Sequence, residues 1–333
     1  MKRLTLVLLI IKGAIVCAAR YKRPNILMIY ADDLGWNDVD WHDETLRTPH
    51  LRRLAFDRHT VQLDQAYVNQ LCSPTRSALM TGHYPHHIGT QKLRDLGYNT
   101  YLVGKWHLGY CKYDFLPSRR GFEKFRGYYA DKAGYFNHSR DLWKGGLVAR
   151  GLDFFTETWN TSSVPNWSRE GQYSAEVFAD ESIQLLRDQP KNHPFFLYLA
   201  FQSVHAPLEV PEEYVRRCDY IERWDRRIYC GMLNALDEAI GRVVKALRDL
   251  DLYENTIIIF SSDNGGQTMA GGNNFPLRGN KDTLWEGGTR TNSFVHSPRF
   301  IKRAAVRQQL FHVVDWFSTV LAMAGQNISK YGR

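Results

Sequence analysis

The chain has 333 residues, of which 44% are hydrophobic and 23% charged, enough to bury a large core as one big α/β domain or two smaller ones. That balance excludes a disordered or collagen-like chain. Its net charge of +8 points to acidic ligands, although scattered pairs such as Arg52-Arg53, Arg119-Arg120, Arg216-Arg217 and Arg226-Arg227 fit a solvated basic surface equally well.

Lys2 and Arg3 precede an apolar run over residues 4–11 that Lys12 interrupts, and Val16-Cys17-Ala18 supplies small residues for cleavage. This is the layout of a secretory signal over residues 1–19, with 20–333 as the mature chain. A frayed strand or a short anchor is the alternative, and the run is too short to cross a bilayer. No other segment approaches a transmembrane helix, so no stable membrane insertion is expected. Four glycosylation sequons, at Asn137, Asn160, Asn166 and Asn327, fit a luminal glycoprotein. In that setting sulfated extracellular polymers suit the positive charge better than nucleic acid.

Asn25–Ala31 is apolar throughout rather than alternating, which predicts a central strand buried on both faces. Asp32 and Asp33 follow at its C-terminal end, where an open α/β sheet places its ligand crevice. The pair reads either as a hard-cation site or as an ordinary turn. Residues 49–56 predict a short helix and residues 60–68 a strand leading to the helix that starts at Cys72. At Cys72-Ser-Pro-Thr-Arg76, proline suits a first helical turn and Gly82 a helix end. Free N–H groups and a positive dipole end should gather near Cys72. On spacing alone Cys72 is either an activated nucleophile or a buried structural thiol. His83, His86 and His87 lack cysteine or carboxylate partners at zinc spacing and read as rim residues.

Residues 97–109 again place a short strand before polar residues, with Lys105 and His107 two apart and able to reach one anionic group. Residues 130–168, rich in Gly, Asn, aromatics and sequons, read as a surface excursion. An amphipathic helix over residues 173–187 precedes a buried strand over 195–201, which ends near His205. A long amphipathic helix from Tyr229 to Leu247 leads to a strand at 257–260 that runs into Asp263 and Asn264. Two acidic or amide pairs at separate strand exits favour calcium or magnesium over either pair alone. Lys281 lies in a glycine-flanked loop; a further strand at Phe294 and Val295 and a final helix over 311–324 complete the chain. Cys72, Cys111, Cys218 and Cys230 remain after signal removal, and Cys218 and Cys230 are close enough in sequence to bridge. The alternation of strand and helix predicts an α/β fold: a large, mostly parallel sheet with helices on both faces.

Cys72-Ser-Pro-Thr-Arg76 followed by Thr81-Gly82 resembles the sulfatase signature, and Gly97-Tyr-Asn-Thr to Gly104-Lys-Trp-His107 resembles the second one. Residues 31–39, 202–208 and 263–274 extend the likeness to the arylsulfatase B branch, the N-acetylgalactosamine-4-sulfatase-like group. The resemblance implies an alkaline-phosphatase-like α/β sandwich with a mixed sheet. It implies conversion of Cys72 to formylglycine by the formylglycine-generating enzyme. It implies calcium held by Asp32, Asp33, Asp263, Asn264 and the modified Cys72. Arg76 and Lys105 are expected to support the formylglycine, His107 to contact its hydroxyl, and His205 and Lys281 to bind sulfate.

The expected reaction is sulfate ester hydrolysis on a sulfated glycosaminoglycan or an aryl sulfate, in a lysosomal or secreted enzyme. Two alternatives stand beside it: a paralogue that binds sulfated glycans without turnover, and a metal-dependent phosphoesterase of the same superfamily. Two differences from the family pattern are visible. The connection after residues 89–91 is barely a turn where the family has a longer helix, and the chain reaches Arg333 where members continue into a smaller C-terminal subdomain.

Overall fold

A computed structural model describes residues 23–82, 90–144 and 147–328. The expected signal over 1–19 and the histidines His83, His86 and His87 lie outside the described residues. A ten-stranded sheet runs, from one edge, through Ala305–Arg307, Thr60–Leu63, Phe294–His296, Thr256–Ser262, Asn25–Ala31, Phe195–Ala200, Asn99–Lys105, Lys124–Tyr128, Phe155–Thr158 and Val164–Pro165. The five strands from Thr256–Ser262 to Lys124–Tyr128 are mutually parallel, and antiparallel strands flank them on each side. The sheet is therefore mixed, as expected.

The apolar run of Asn25–Ala31 is explained by where its side chains go. Leu27, Ile29 and Ala31 enter one core, and Ile26, Met28 and Tyr30 enter the other. Successive residues of a strand point to opposite faces, so a strand covered on both faces has no position left for a polar side chain. Ser174–Arg187 and the 26-residue helix Trp224–Asp249 supply the first core, while Cys72–Thr81 and Asp315–Met323 supply the second. A disulfide joins Cys218 to Cys230 and ties the short Glu212–Arg216 helix to the long one, while Cys111 is free and exposed.

Three expected elements differ. The strand predicted over 60–68 divides into Thr60–Leu63 in the main sheet and Ala66–Tyr67 in a separate pair with Phe311–His312. The final helix accordingly begins at Asp315, because residues 311 and 312 are taken by that pairing. Residues 130–168 are more than a surface excursion: Ser139–Lys144 pairs with Leu147–Leu152, and Phe155–Thr158 joins the main sheet. Tyr135 and Phe154 are fully buried there, so the aromatics of that stretch are core rather than decoration. The shortened connection keeps a six-residue helix, Thr90–Asp95.

Register aligns the strand ends that matter. Ala31 pairs with Ser262, Tyr30 with Ala200, Ala200 with Gly104, and Lys105 with Tyr128. Asp32, Asp263, Gln202 and Lys105 therefore leave the sheet at one carboxyl edge.

Candidate active site

Cys72 opens its helix at this edge, and the helix ends at Gly82 in the left-handed conformation, φ 66°. The Thr75 hydroxyl fastens the entry by accepting from the Asn69 N–H at 2.9 Å and donating to the Asn69 carbonyl at 3.3 Å. That clasp fixes where the first turn points. The Cys72 Sγ lies 3.5 Å from Asp32 Oδ1, and one turn on, Arg76 is fully buried. Arg76 grips Asp263 Oδ2 through Nε at 3.0 Å and Nη2 at 2.6 Å, and donates through Nη1 to the Lys105 carbonyl and the Tyr198 hydroxyl, both at 3.3 Å.

Lys105 reaches across to Asp32 at 2.5 Å. Its approach depends on Gly104, at φ 104°, where a Cβ would lie 2.0 Å from the Ala200 carbonyl oxygen. Lys281 reaches Asp33, at 2.8 Å from Oδ1 and 2.9 Å from Oδ2. Asp33 also accepts from Asn264 Nδ2 at 2.7 Å, and its own N–H points to Asp263 Oδ1 at 3.3 Å. His205 Nε2 is 3.7 Å from Asp33 Oδ2. His107 Nε2 meets Ser73 Oγ at 3.1 Å. Asp33 and His107 both hold positive φ, 60° and 54°, a costly conformation for residues with a Cβ. Every residue expected at the site is thus drawn into one cluster of three carboxylates and three cations.

Electrostatics revise one expectation. Burial, followed by the charges of Asp263 and Asp32, pushes the Cys72 thiol well above its usual range, outweighing Lys105. That direction favours the buried-thiol reading of Cys72 over the activated-nucleophile one. Burial works against the Asp32 carboxylate, yet Lys105, His205, Arg76 and Lys281 together hold it well below the usual range. Asp263 moves the other way, raised by burial and by Asp32 against the opposing Arg76. Burial and then Lys105 and Arg76 press His107 down to about 3, so its imidazole is neutral at physiological pH.

The donor set suits a hard cation. Ligand atoms of Asp32, Asp33, Cys72 and His205 lie within 4.8 Å of one another. Among the described residues, Asn264 Oδ1 is buried and accepts no hydrogen bond, an orphan that a cation would satisfy. Carboxylate and amide oxygens favour calcium or magnesium over zinc. His205 is an addition to the oxygen set read from the sequence. Sequence reasoning also missed Ser73 and Tyr198. Ser73 adjoins Cys72 and was findable from that position; a tyrosine inside an apolar strand carries no signal beyond core packing.

The chain belongs to the sulfatase family, whose Sulfatase profile matches residues 24–326. Its fold is the alkaline-phosphatase-like one shared by the sulfatase structures it resembles. Among relatives, it is 38% identical to arylsulfatase J of Mus musculus over 329 residues, covering 92% of this chain and 54% of that protein. It is 32% identical to N-acetylgalactosamine-6-sulfatase of Sus scrofa, covering 91% of this chain and 62% of that protein. Among solved structures, Ps i-CgsB in complex with k-i-k-neocarrahexaose superposes with a TM-score of 0.81 at 31% identity, covering 93% of this chain and 73% of that one. The chain thus spans between about half and two thirds of the length of these two curated relatives. No helix among the described residues is long and apolar enough to cross a membrane.

Proposed function

We propose that the chain hydrolyses sulfate monoesters, with Cys72 converted to formylglycine and calcium held by Asp32, Asp33, Asp263, Asn264 and the modified Cys72. The observation that carries this reading is the buried Cys72, 3.5 Å from Asp32 Oδ1, at a sheet edge where Arg76 and Lys105 pair with Asp32 and Lys281 pairs with Asp33. A buried thiol among carboxylates is a poor nucleophile, so this setting suits a modified residue 72 better than a free cysteine.

Hydrated formylglycine supplies two hydroxyls on one carbon, one to take the sulfuryl group and one to expel it. Bound calcium supplies positive charge toward the sulfate oxygens. The chain's own residues do the rest. Lys105 and Lys281 bring ammonium groups to the same anion, in a water-poor pocket where fixed charge counts most. Arg76, locked on Asp263, holds the helix turn that carries residue 72. His107, hydrogen-bonded to Ser73 beside residue 72, accepts a proton from the hydroxyl of residue 72. His205 or Lys281 gives a proton to the leaving oxygen.

The substrate class is a sulfated glycan of the glycosaminoglycan type, 4-sulfated galactosamine being the sequence-based choice, with aryl sulfates as small surrogates. The names of arylsulfatase J and N-acetylgalactosamine-6-sulfatase support that class. The formylglycine-generating enzyme is the partner that modifies Cys72, and secretion or lysosomal delivery is the destination. Residues Asn137, Asn160 and Asn327 are exposed and open to glycosylation. The test is sulfate release from an aryl sulfate by protein made in a secretory host, with calcium present and after chelation. Release that depends on calcium and disappears in Cys72→Ser supports the reading; phosphate ester cleavage without sulfate release contradicts it.

A further inference from the structure

Residues 129–135 form an arch between the two histidines of the site. The His107 N–H donates to the Tyr129 carbonyl at 3.1 Å, and at the other end the Tyr135 hydroxyl donates to the His205 carbonyl at 2.7 Å. Asp131 sits on this arch, and Arg140, just beyond it, stands 3.1 Å from Asp131 Oδ1. Arg140 also donates through Nη1 to the Tyr110 hydroxyl at 2.8 Å.

Tyr110 lies three residues past His107 and is 48% exposed. Its inner face is stacked on Tyr129, centroids 6.3 Å apart and planes 19° from parallel. Tyr129 in turn stacks on Phe155 at 4.7 Å and Phe125 at 5.3 Å. Tyr110 is therefore a braced aromatic plate with its outer face open. Such a plate offers a sugar ring a flat apolar surface at low entropic cost. Arg140 donates one hydrogen bond, to Tyr110, and pairs by charge with Asp131, and a guanidinium has five N–H donors in a planar fork suited to carboxylate or sulfate. Asp131 aligns that fork. It also places negative charge beside the His107 end of the pocket, so a second anion is accepted on the Arg140 side and repelled on the other.

We propose that Tyr110 and Arg140, aligned by Asp131, form a subsite for the sugar next to the sulfated one, with Arg140 reading an anionic substituent on it. The proposal rests on the sulfatase reading of the site. The anionic group is a carboxylate, as on a uronic acid, or a second sulfate ester.

The test is equilibrium binding, by calorimetry, to the full chain carrying Cys72→Ala, which has no side-chain hydroxyl to take the sulfuryl group and so leaves the ligand intact. Three ligands are compared: a 4-sulfated chondroitin disaccharide, the same disaccharide with its carboxyl reduced to an alcohol, and the reduced form bearing a sulfate on that sugar. Adding Arg140→Gln is expected to weaken the carboxylate ligand, the doubly sulfated ligand or both by about tenfold, the size of a lost charge-assisted hydrogen bond. The reduced ligand should change by less than about twofold, since it offers Arg140 only neutral hydroxyls. Which anion responds identifies the natural substituent. Arg140→Lys should restore part of the loss, and Tyr110→Phe, which removes only the hydroxyl that steadies Arg140, should shift the same ligands by about threefold. These two milder variants decide the matter if Arg140→Gln does not fold. Equal weakening of all three ligands, or no change in any, overturns the subsite. Failure of the Cys72→Ala chain to bind any of the three overturns the sulfatase reading together with it.

Discussion

At the scale of single residues, the site is a balance of buried opposite charges, and removing one member exposes its partner. Arg76 is the clearest case, being fully buried and bonded twice to Asp263. Arg76→Ala leaves that carboxylate uncompensated, and a loss of about 3–5 kcal/mol in unfolding free energy is expected by denaturant titration. Arg76→Lys should lose less, since it keeps the charge but not the two-point grip. Cys72→Ser should fold normally and release no sulfate, because a single hydroxyl can take the sulfuryl group but has no second hydroxyl to expel it; the sulfate retained on that serine is read by intact mass. That these ten residues would come together was legible in the sequence because each stands at a strand exit, in a short motif or in a glycine-flanked loop; their roles are those proposed above. Tyr198 was not, because its hydroxyl acts from within a strand whose apolar text hides it. Nor was the raised Cys72 thiol legible, since it follows from burial and then from Asp263 and Asp32 arriving after other strands.

Among elements, the short Pro49–Ala55 helix shows how tertiary structure replaces a local cap. Thr48 makes no side-chain cap bond. Instead Asp237, from the long helix Trp224–Asp249, accepts the N–H groups of His50 at 3.0 Å and Leu51 at 2.7 Å. Burial pushes the Asp237 carboxyl up to about 7, against those two bonds. The folded chain then keeps a proton on Asp237 that the unfolded chain releases above about pH 4. This contribution favours folding at acid pH and is lost as pH rises toward about 7. Thermal melts of Asp237→Asn should show a lower Tm at pH 5 and a flatter dependence between pH 4 and 7 than the parent; an unchanged slope would refute the assignment. The Cys218–Cys230 bridge closes a separation of 12 residues, so replacing both cysteines by serine should cost about 2–3 kcal/mol in the same assay. Periodicity made the central strands and both long helices legible. The break after Leu63 was not, because a run that changes sheets keeps its apolar character on both sides.

For the whole molecule, the organising fact is that six separate segments deliver polar groups to one sheet edge, five of them after a buried strand or at a helix start and the sixth, with Lys281, from a loop. Their mutual distances depend on the two cores that clamp the sheet, and an error of about 1 Å in such a site can cost roughly a hundredfold in rate. A cation bound as proposed would link carboxylates that follow the Asn25–Ala31 and Thr256–Ser262 strands, so it should stabilise the fold as well as the reaction. Chelation is expected to lower Tm and added calcium to restore it, with a gain of about 2.7 kcal/mol at a hundredfold excess over Kd; magnesium or zinc restoring it better than calcium would count against the oxygen site. All of this turns on residue 72. The most direct measurement is the mass of the peptide containing residue 72, from protein made in a secretory host that modifies a control sulfatase. Formylglycine at that position is the predicted result. Unmodified cysteine throughout, beside a fully converted control, would contradict the account.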